Sequence, residues 1–218
     1  MMPMNKQYLN AGRNSESDEC LTPRYAVEPI VKYLKAKAYK HILCPFDTED
    51  SHFVKVLQRE GFDVTYSHIF PRENSDDSHT FSGENEEELH IMRRKDFFTY
   101  AKDAVKDIDC IVSNPPYSCK DEVLTHLYKL DKPFMMLFPQ NTLQGKYRTK
   151  LFMKYGLEYL GFTSRICFYT KNELDSLKTS NHFASGYFCR NVLPEKLMFE
   201  DLLLENEPYY EKGNLFTK

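Results

Sequence analysis

The residues best suited to chemistry form a tetrapeptide, Asn114, Pro115, Pro116 and Tyr117, which directly follows a predicted strand at residues 108–113. Two successive prolines fix φ and remove two backbone donors, so the segment presents carbonyl oxygens on a stiff loop. The Asn114 side chain offers another acceptor, and the following proline holds its backbone extended. Two acceptors at a fixed spacing can receive both hydrogens of a planar NH2 group.

Such a loop suits chemistry on an amino nitrogen. An amino group attached to an aromatic ring or a carbonyl is a poor nucleophile, because its lone pair is delocalised. Hydrogen bonds to Oδ1 of Asn114 and to the carbonyl oxygen of Pro115 draw the nitrogen toward tetrahedral geometry, which frees the lone pair to attack an electrophilic methyl group. Tyr117 offers a flat face to a planar substrate, and stacking of a base contributes about 1 to 3 kcal/mol. The alternative is a rigid Pro-Pro turn without a chemical role.

The elements that position this loop alternate along the chain. Thr22 predicts an N-cap and Pro23 a first-turn proline, so a helix follows them. Further strands are predicted at 41–44, 62–70, 89–92 and 134–138, and further helices at 51–60, 99–106 and 120–130. This alternation indicates a mostly parallel, doubly wound α/β sheet, which binds ligands beyond the carboxyl ends of its strands.

The last third of the chain has a different pattern. After a predicted helix at 146–155, strand patterns at 157–162, 165–169 and 185–190 have few helices between them, which favours an antiparallel C-terminal strand pair. A closing amphipathic helix is predicted at 194–206. The whole chain, residues 1–218, is predicted as a single domain, with residues 1–20 poorly ordered and residues 71–89 an acidic, solvated insertion.

Composition limits the classes of protein that fit. The 218 residues carry 29 basic and 32 acidic side chains and are 41% hydrophobic, as in one globular domain without a strongly basic surface overall. No apolar run is long enough to span a membrane and the N-terminus is polar, so we expect a cytoplasmic protein without membrane contact. The six scattered cysteines include no C-x-x-C pair, so we expect reduced thiols and no metal site.

The sequence Asn114-Pro115-Pro116-Tyr117 after a strand resembles the catalytic motif of class I S-adenosylmethionine-dependent methyltransferases that modify amino nitrogens. The resemblance is greatest to small phage-type N6-adenine DNA methyltransferases, and related motifs occur in enzymes acting on RNA adenine and on protein glutamine. It implies a Rossmann-like fold, S-adenosyl-L-methionine as cofactor, and a catalytic role for the four residues.

Two further segments resemble cofactor-binding elements of that family. Thr22-Pro23 is similar to the Thr-Pro element that touches the methionine end of the cofactor. Asp96-Phe97-Phe98 is similar to the acidic-aromatic motif after the third strand. This resemblance implies that Asp96 accepts a hydrogen bond from the cofactor's adenine and that Phe97 packs on its ring.

The turn after the first core strand departs from the family pattern. It contains Pro45, Phe46 and Asp47 but no glycine in residues 45–51, whereas glycines at this turn let the backbone approach the cofactor. In one interpretation Pro45 and Phe46 form the pocket wall and Asp47 faces the cofactor's cationic amino group, since Cys-Pro-Phe-Asp resembles a subset of phage-type relatives. In the other, the protein is a non-catalytic binding module that has lost its cofactor.

The substrate side is predicted from the C-terminal third. Residues 165–169 and 183–188 resemble the late strand pair of phage-type adenine methyltransferases, where an aromatic residue helps to hold the extruded base; Phe183 is the first candidate and Phe168 the second. A basic and aromatic strip at residues 141–171, including Lys146 and Arg148, suits a phosphate backbone and unstacked bases. The alternative for this strip is an amphipathic helix with a solvated basic face.

Together these patterns predict methyl transfer to the amino nitrogen of adenine in a nucleic acid, with DNA favoured over RNA. Methylation of RNA adenine or of protein glutamine stays open, as does the non-catalytic module. A nucleotidyltransferase is disfavoured because the sequence has no glycine-rich phosphate-binding loop. Since a methyltransferase core would use most of the chain, we expect recognition of a short target.

Overall fold

The computed structural model describes residues 20–69, 93–170, 173–177 and 183–202. The predicted acidic insertion at 71–89 and the predicted strand at 89–92 lie outside these residues. So do residues 1–19, which make up nearly all of the N-terminal segment that was predicted to be poorly ordered.

Eleven strands, numbered in chain order, lie within the described residues. They are Cys20–Leu21 (β1), His41–Cys44 (β2), Asp63–His68 (β3), Arg93–Arg94 (β4), Cys110–Ser113 (β5), Phe134–Pro139 (β6), Glu158–Phe162 (β7), Tyr169–Thr170 (β8), Glu173–Leu177 (β9), Ser185–Arg190 (β10) and Leu197–Glu200 (β11).

Eight of these strands form the main sheet, in the order β11-β7-β10-β6-β5-β2-β3-β4. Strand β10 runs antiparallel to both of its neighbours, β6 and β7, and the other pairs are parallel. The prediction of a mostly parallel, doubly wound α/β sheet with an antiparallel C-terminal finish is therefore confirmed. A small antiparallel sheet joins β1, β8 and β9.

Five α-helices connect the strands, and we number them in chain order as well. They are Arg24–Val27 (α1), Val31–Ala36 (α2), His52–Arg59 (α3), Lys120–Leu130 (α4) and Lys146–Tyr155 (α5). Helix α3 shows why the sequence folds this way: Phe53 and Leu57 are buried on one face, and the Ser51 hydroxyl caps the helix by accepting from the N–H of Phe53 at 3.2 Å. Gly61, at φ +87°, ends the segment.

The main sheet has a hydrophobic core on each face. One core contains α1, α2 and α3, and the other contains α4 and the turn at Phe97–Thr99. Successive strand residues enter different cores, as Tyr187 and Phe188 of β10 do. The result is a three-layer arrangement with helices or turns packed on both faces of the sheet.

The predicted helix at 99–106 is wrong, because two short 3-10 turns, Phe97–Thr99 and Asp103–Val105, occupy the region. Its buried apolar residues, Tyr100 and Val105, are five positions apart, so they cannot form one helical stripe.

Two predicted C-terminal elements also differ from the structure. The predicted strand at 165–169 is reduced to β8, because the Cys167 N–H donates to the Tyr25 hydroxyl (2.8 Å). The predicted helix at 194–206 is wrong for residues 194–202, because β11 lies in this range and pairs with β7. Residues 203–206 lie outside the described residues. In β11, Leu197 and Phe199 are exposed while Met198 is half-buried, which is the period of a strand.

Within the described residues, no helix combines the length and the apolar character needed to cross a membrane. The thiols of Cys44, Cys110, Cys119, Cys167 and Cys189 are free.

Candidate active site

Three strand ends and one turn build the candidate site. Strands β4, β3, β2 and β5 are parallel neighbours, so the segments that follow them meet at one edge of the sheet. Residues 45–51 follow β2, residues 96–98 follow β4, and the 114–117 motif follows β5. The Thr22 carbonyl lies 2.9 Å from Nδ1 of His52, the first residue of α3. The structure therefore brings four of the predicted segments to a common edge.

A buried carboxylate ties the turn after β2 to the Asn114 motif. Asp47 is only 7% exposed. Its Oδ1 accepts a hydrogen bond from the Ser51 hydroxyl, and its Oδ2 accepts one from the Ser113 hydroxyl. Ser113 is the last residue of β5 and directly precedes Asn114. The Asp47 N–H also donates to the carbonyl oxygen of Ser67 on β3 (3.1 Å). Side-chain hydrogen bonds thus hold a turn that contains no glycine.

Burial raises the pKa of Asp47 to about 6. Removing the carboxylate from water disfavours its charged form, and the hydroxyl groups of Ser113 and Ser51 offset only part of this penalty by donating to it. Because both oxygens accept internal hydrogen bonds and the side chain is buried, Asp47 is better described as a clamp than as a direct contact to a cofactor's amino group.

The expected adenine-binding motif forms an aromatic cluster. Phe97 is 2% exposed, and its ring centroid lies 4.9 Å from that of Phe46 and 5.7 Å from that of Phe98, both of which are half-buried. The buried Phe97 ring therefore packs beneath the other two rings and holds them in place. Phe46 and Phe98 keep part of their surface exposed at the site. Oδ1 of Asp96 accepts from the N–H of Phe98 at 3.0 Å, which fixes the turn.

His126 is a member of this cluster that the sequence analysis missed. It lies on α4, and its ring packs edge-on against Phe97 at 4.9 Å between centroids. Burial lowers its pKa, which favours the neutral ring. No sequence motif includes His126. Its position on the helix that directly follows the Asn114 loop is the one sequence feature that indicates a place near the site.

Thr22 contributes a buried hydroxyl just before α1. The residue is 6% exposed, and its Oγ1 has no hydrogen-bond partner among the described residues. The predicted N-cap role is wrong because Pro23 occupies the cap position and no side chain caps α1. A buried hydroxyl without a partner is costly, so this atom fits a polar group such as the methionine end of S-adenosylmethionine. Pro23 and Pro45 are both buried.

The Asn114 motif lies beside one of the predicted substrate residues. Asn114 and Tyr117 are half-buried and Pro115 is buried. The Tyr117 ring meets the Phe183 ring edge-on, with centroids 5.8 Å apart and an interplanar angle of 78°. Phe183 is 36% exposed, so this pair presents an aromatic surface at the loop.

Two other predicted substrate residues have different roles. Phe168 is fully buried in the core against α1–α3, so its assignment as a base-holding residue is wrong. Arg148 uses its guanidinium internally: Nε donates to the carbonyl of Thr142 (2.8 Å), Nη1 donates to Asp121 (2.5 Å), and Nη2 donates to the carbonyl of Gln144. It therefore anchors α5 and is not presented to a phosphate. Lys146 is exposed, as the prediction requires.

Solved structures similar to this chain include several methyltransferases. A protein of Pyrococcus horikoshii described as a proposed RNA methyltransferase is 13% identical, with a TM-score of 0.52 over 86% of this chain and 96% of that one. An S-adenosylmethionine-dependent O-methyltransferase from Thermotoga maritima is 15% identical over 89% and 74% of the two chains, with a TM-score of 0.47. Magnesium protoporphyrin IX methyltransferase from Synechocystis is 12% identical over 87% and 86%, with a TM-score of 0.45.

The strand order, the antiparallel β10 and the likeness to the Pyrococcus protein show that the chain has the Rossmann-like fold of class I methyltransferases. At such low identity, the likeness extends to the fold and not to a substrate. No protein-family profile matches the sequence, and no curated protein matches it either.

Proposed function

We propose that the protein transfers a methyl group from S-adenosyl-L-methionine to the exocyclic amino nitrogen of adenine in DNA. The observation that carries this proposal is the position of Asn114–Tyr117 at the carboxyl end of β5, with the exposed ring of Phe183 against Tyr117. Ligands of open α/β sheets bind at this edge, and the motif resembles that of N6-adenine methyltransferases.

The residues at the edge fit the cofactor in two places. The buried Thr22 hydroxyl suits a polar group of its methionine end, and half-buried Phe46 and Phe98 suit a flat base. When bound, S-adenosylmethionine supplies an electrophilic methyl group. The absence of glycine in the turn does not argue against this site, because the Asp47 clamp holds the turn by other bonds.

The chain's own residues then act on the amino group. Oδ1 of Asn114 and the carbonyl oxygen of Pro115 accept its two hydrogens and orient its lone pair toward the cofactor side. The stiff Pro115-Pro116 backbone keeps these acceptors in place without reorganisation. Tyr117 and Phe183 hold the ring of a base that has left its stack, as an enzyme acting on a duplex requires.

A labelled-methyl assay on unmethylated DNA tests the proposal, with N6-methyladenine identified by mass spectrometry of the digested product. We expect transfer by the native chain and a loss of about 100-fold or more in kcat for Asn114→Ala, a loss typical of removing one oriented polar group. Binding of S-adenosylmethionine, measured by calorimetry, should survive this substitution.

Three outcomes would contradict the proposal in different ways. Label transferred to RNA adenine or to protein glutamine but not to DNA would move the activity to that substrate. Equal activity of the native chain and Asn114→Ala would remove the motif from the chemistry. Absence of S-adenosylmethionine binding would make the protein a binding module with a methyltransferase fold.

A further inference from the structure

Helix α5 presents a row of lysines to solvent. Its side chains at positions 146, 150 and 154 are all lysine and all exposed. Residues four apart on a helix share one face, so Lys146, Lys150 and Lys154 form a single row with about 6 Å between successive members. Leu151 and Phe152, which are half-buried against the core, lie on the other side of the helix. We call these three residues the lysine row.

Among the residues that the structure describes, no carboxylate neutralises the lysine row. Helix α5 contains no acidic residue, and within the described residues none of its three lysines forms an ion pair with a carboxylate. Lysines elsewhere do so: Lys32 pairs with Glu200 at 2.5 Å and Lys35 with Glu60 at 2.8 Å. In a protein with a formal charge of −3, the lysine row is therefore a local positive surface.

This helix is fixed beside the candidate catalytic loop. Arg148 donates to Asp121 at 2.5 Å, and the Tyr147 hydroxyl lies 3.0 Å from Oγ1 of Thr125. Both partners are in the first half of α4, which follows the turn at Tyr117–Cys119 directly. The amino end of α5 is therefore near the motif, and the lysine row runs away from it along the helix.

An ordered aromatic side chain lies at the start of the row. Tyr147 is 51% exposed, yet its hydroxyl is held by Thr125. An exposed ring in a fixed orientation can stack on an unpaired base without a large cost in conformational entropy. The helix therefore offers both groups that single-stranded nucleic acid needs, positive charge for phosphates and a flat ring for a base.

We propose that the lysine row binds the sugar–phosphate backbone of the nucleic acid strand that carries the target base, on one side of that base. Charge complementarity favours this occupant, since three lysines in a row without a carboxylate partner among the described residues match a linear array of phosphates; Lys154 also lies over the Tyr155 ring, 4.8 Å from its centroid, and keeps its charge there. The inference rests on the proposed function for the identity of the strand, and it names the surface that the strand follows outside the catalytic loop. Lys146 is nearest the loop, and Lys154 contacts the backbone farthest from it.

The test measures binding without catalysis. Fluorescence anisotropy with a labelled single-stranded DNA, a duplex DNA and a single-stranded RNA of the same sequence gives Kd for the full chain over a series of salt concentrations. The variant Lys146→Gln/Lys150→Gln/Lys154→Gln is compared with the control Lys37→Gln/Lys40→Gln/Lys106→Gln. The control removes the same charge from exposed lysines that precede β2 and β5, at the opposite edge of the sheet.

We expect the lysine-row variant to bind at least one probe about 10-fold or more weakly at low salt. Its slope of log K against log salt should fall by about 2 to 3, since each phosphate contact contributes about 0.7 to 0.9. The control should retain the native slope. A native slope in the lysine-row variant, an equal loss in the control, or no binding of any probe by the native chain would overturn the inference.

These results separate this inference from the proposed function. Binding that depends on the lysine row without methyl transfer would leave the surface standing and remove the activity. Methyl transfer to DNA with unchanged salt dependence in the variant would leave the activity standing and remove the lysine row from nucleic acid binding. Circular dichroism and thermal unfolding of all three proteins show whether a weaker variant is still folded.

Discussion

The rings of Tyr117 and Phe183 meet edge to face, 5.8 Å apart, although one follows β5 and the other precedes β10. Strand β6 lies between β5 and β10 in the sheet, so the two residues approach across the end of that strand. This contact places Phe183 on the same surface as the Asn114 motif. A base held there would touch rings from two distant parts of the chain.

Replacing Phe183 with alanine should lower kcat/KM for methyl transfer by about 5- to 150-fold, because one stacking contact of about 1 to 3 kcal/mol is lost. Affinity for S-adenosylmethionine, measured by calorimetry, should change little. Phe199→Ala is the matched control, since Phe199 is exposed on β11 at the sheet edge. Equal losses in both variants would show that the effect is not one of base holding.

Thr22→Val should weaken S-adenosylmethionine binding by about 5-fold, as expected when a ligand loses one hydrogen bond of about 1 kcal/mol. The free energy of unfolding without ligand should stay the same or rise, because the native hydroxyl is buried without a partner among the described residues. Calorimetry and urea unfolding measure the two quantities. A variant that is less stable but binds normally would show that Thr22 is structural.

Asp47 predicts a specific pH dependence of stability. Its pKa is about 6 in the folded protein and 3.8 as a model group, so the folded state binds more protons between these values. Stability contributed by this residue is therefore present at low pH and lost as pH rises through 6. Relative to Asp47→Asn, the native chain should lose about 3 kcal/mol of unfolding free energy between roughly pH 3 and pH 7.

The measurement is urea unfolding of both proteins across this pH range. Groups common to the two chains cancel in the difference, which isolates residue 47. A difference that stays flat with pH, or that grows in favour of the native chain as pH rises, would show that the buried carboxylate does not carry the assigned pKa.

Ser113→Ala should lower the free energy of unfolding by about 1 to 3 kcal/mol, because a buried carboxylate loses one of its two hydroxyl donors. Combined with Asp47→Asn in a double-mutant cycle, it should show a coupling of about 0.5 to 3 kcal/mol. Ser185→Ala is the control, since the Ser185 hydroxyl is buried without a partner among the described residues. Additive effects of the Asp47 and Ser113 changes would contradict the clamp.

Much of the fold follows from local patterns. Helices α4 and α5 begin and end where predicted, because Val123, Leu124 and Leu127 recur at helical spacing and Gly156 ends the second helix at φ +83°. The Asn114 motif lies at a strand end as predicted. In these regions, periodicity and turn residues favour the same structure as the tertiary contacts.

Other features depend on contacts that no local pattern contains. Residues 165–168 look like a strand, but Cys167 binds the Tyr25 hydroxyl, far away in sequence. Arg148 looks like a phosphate ligand until its acceptors on Asp121 and Thr142 are known. Sequence identifies which side chains have the right chemistry, whereas the folded chain decides which of them are already occupied.

The Asp47 bridge would also couple the two proposed binding events. Its Oδ1 accepts from the hydroxyl of Ser51, the N-cap of α3, in the turn proposed for the cofactor. Its Oδ2 accepts from the hydroxyl of Ser113, the residue before Asn114. A ligand that shifts the turn therefore changes the free energy of the loop, and thermodynamic reciprocity requires the converse. If cofactor binding changes the affinity for nucleic acid by some factor, nucleic acid binding changes the affinity for the cofactor by the same factor. Asp47→Asn or Ser113→Ala would alter this shared factor.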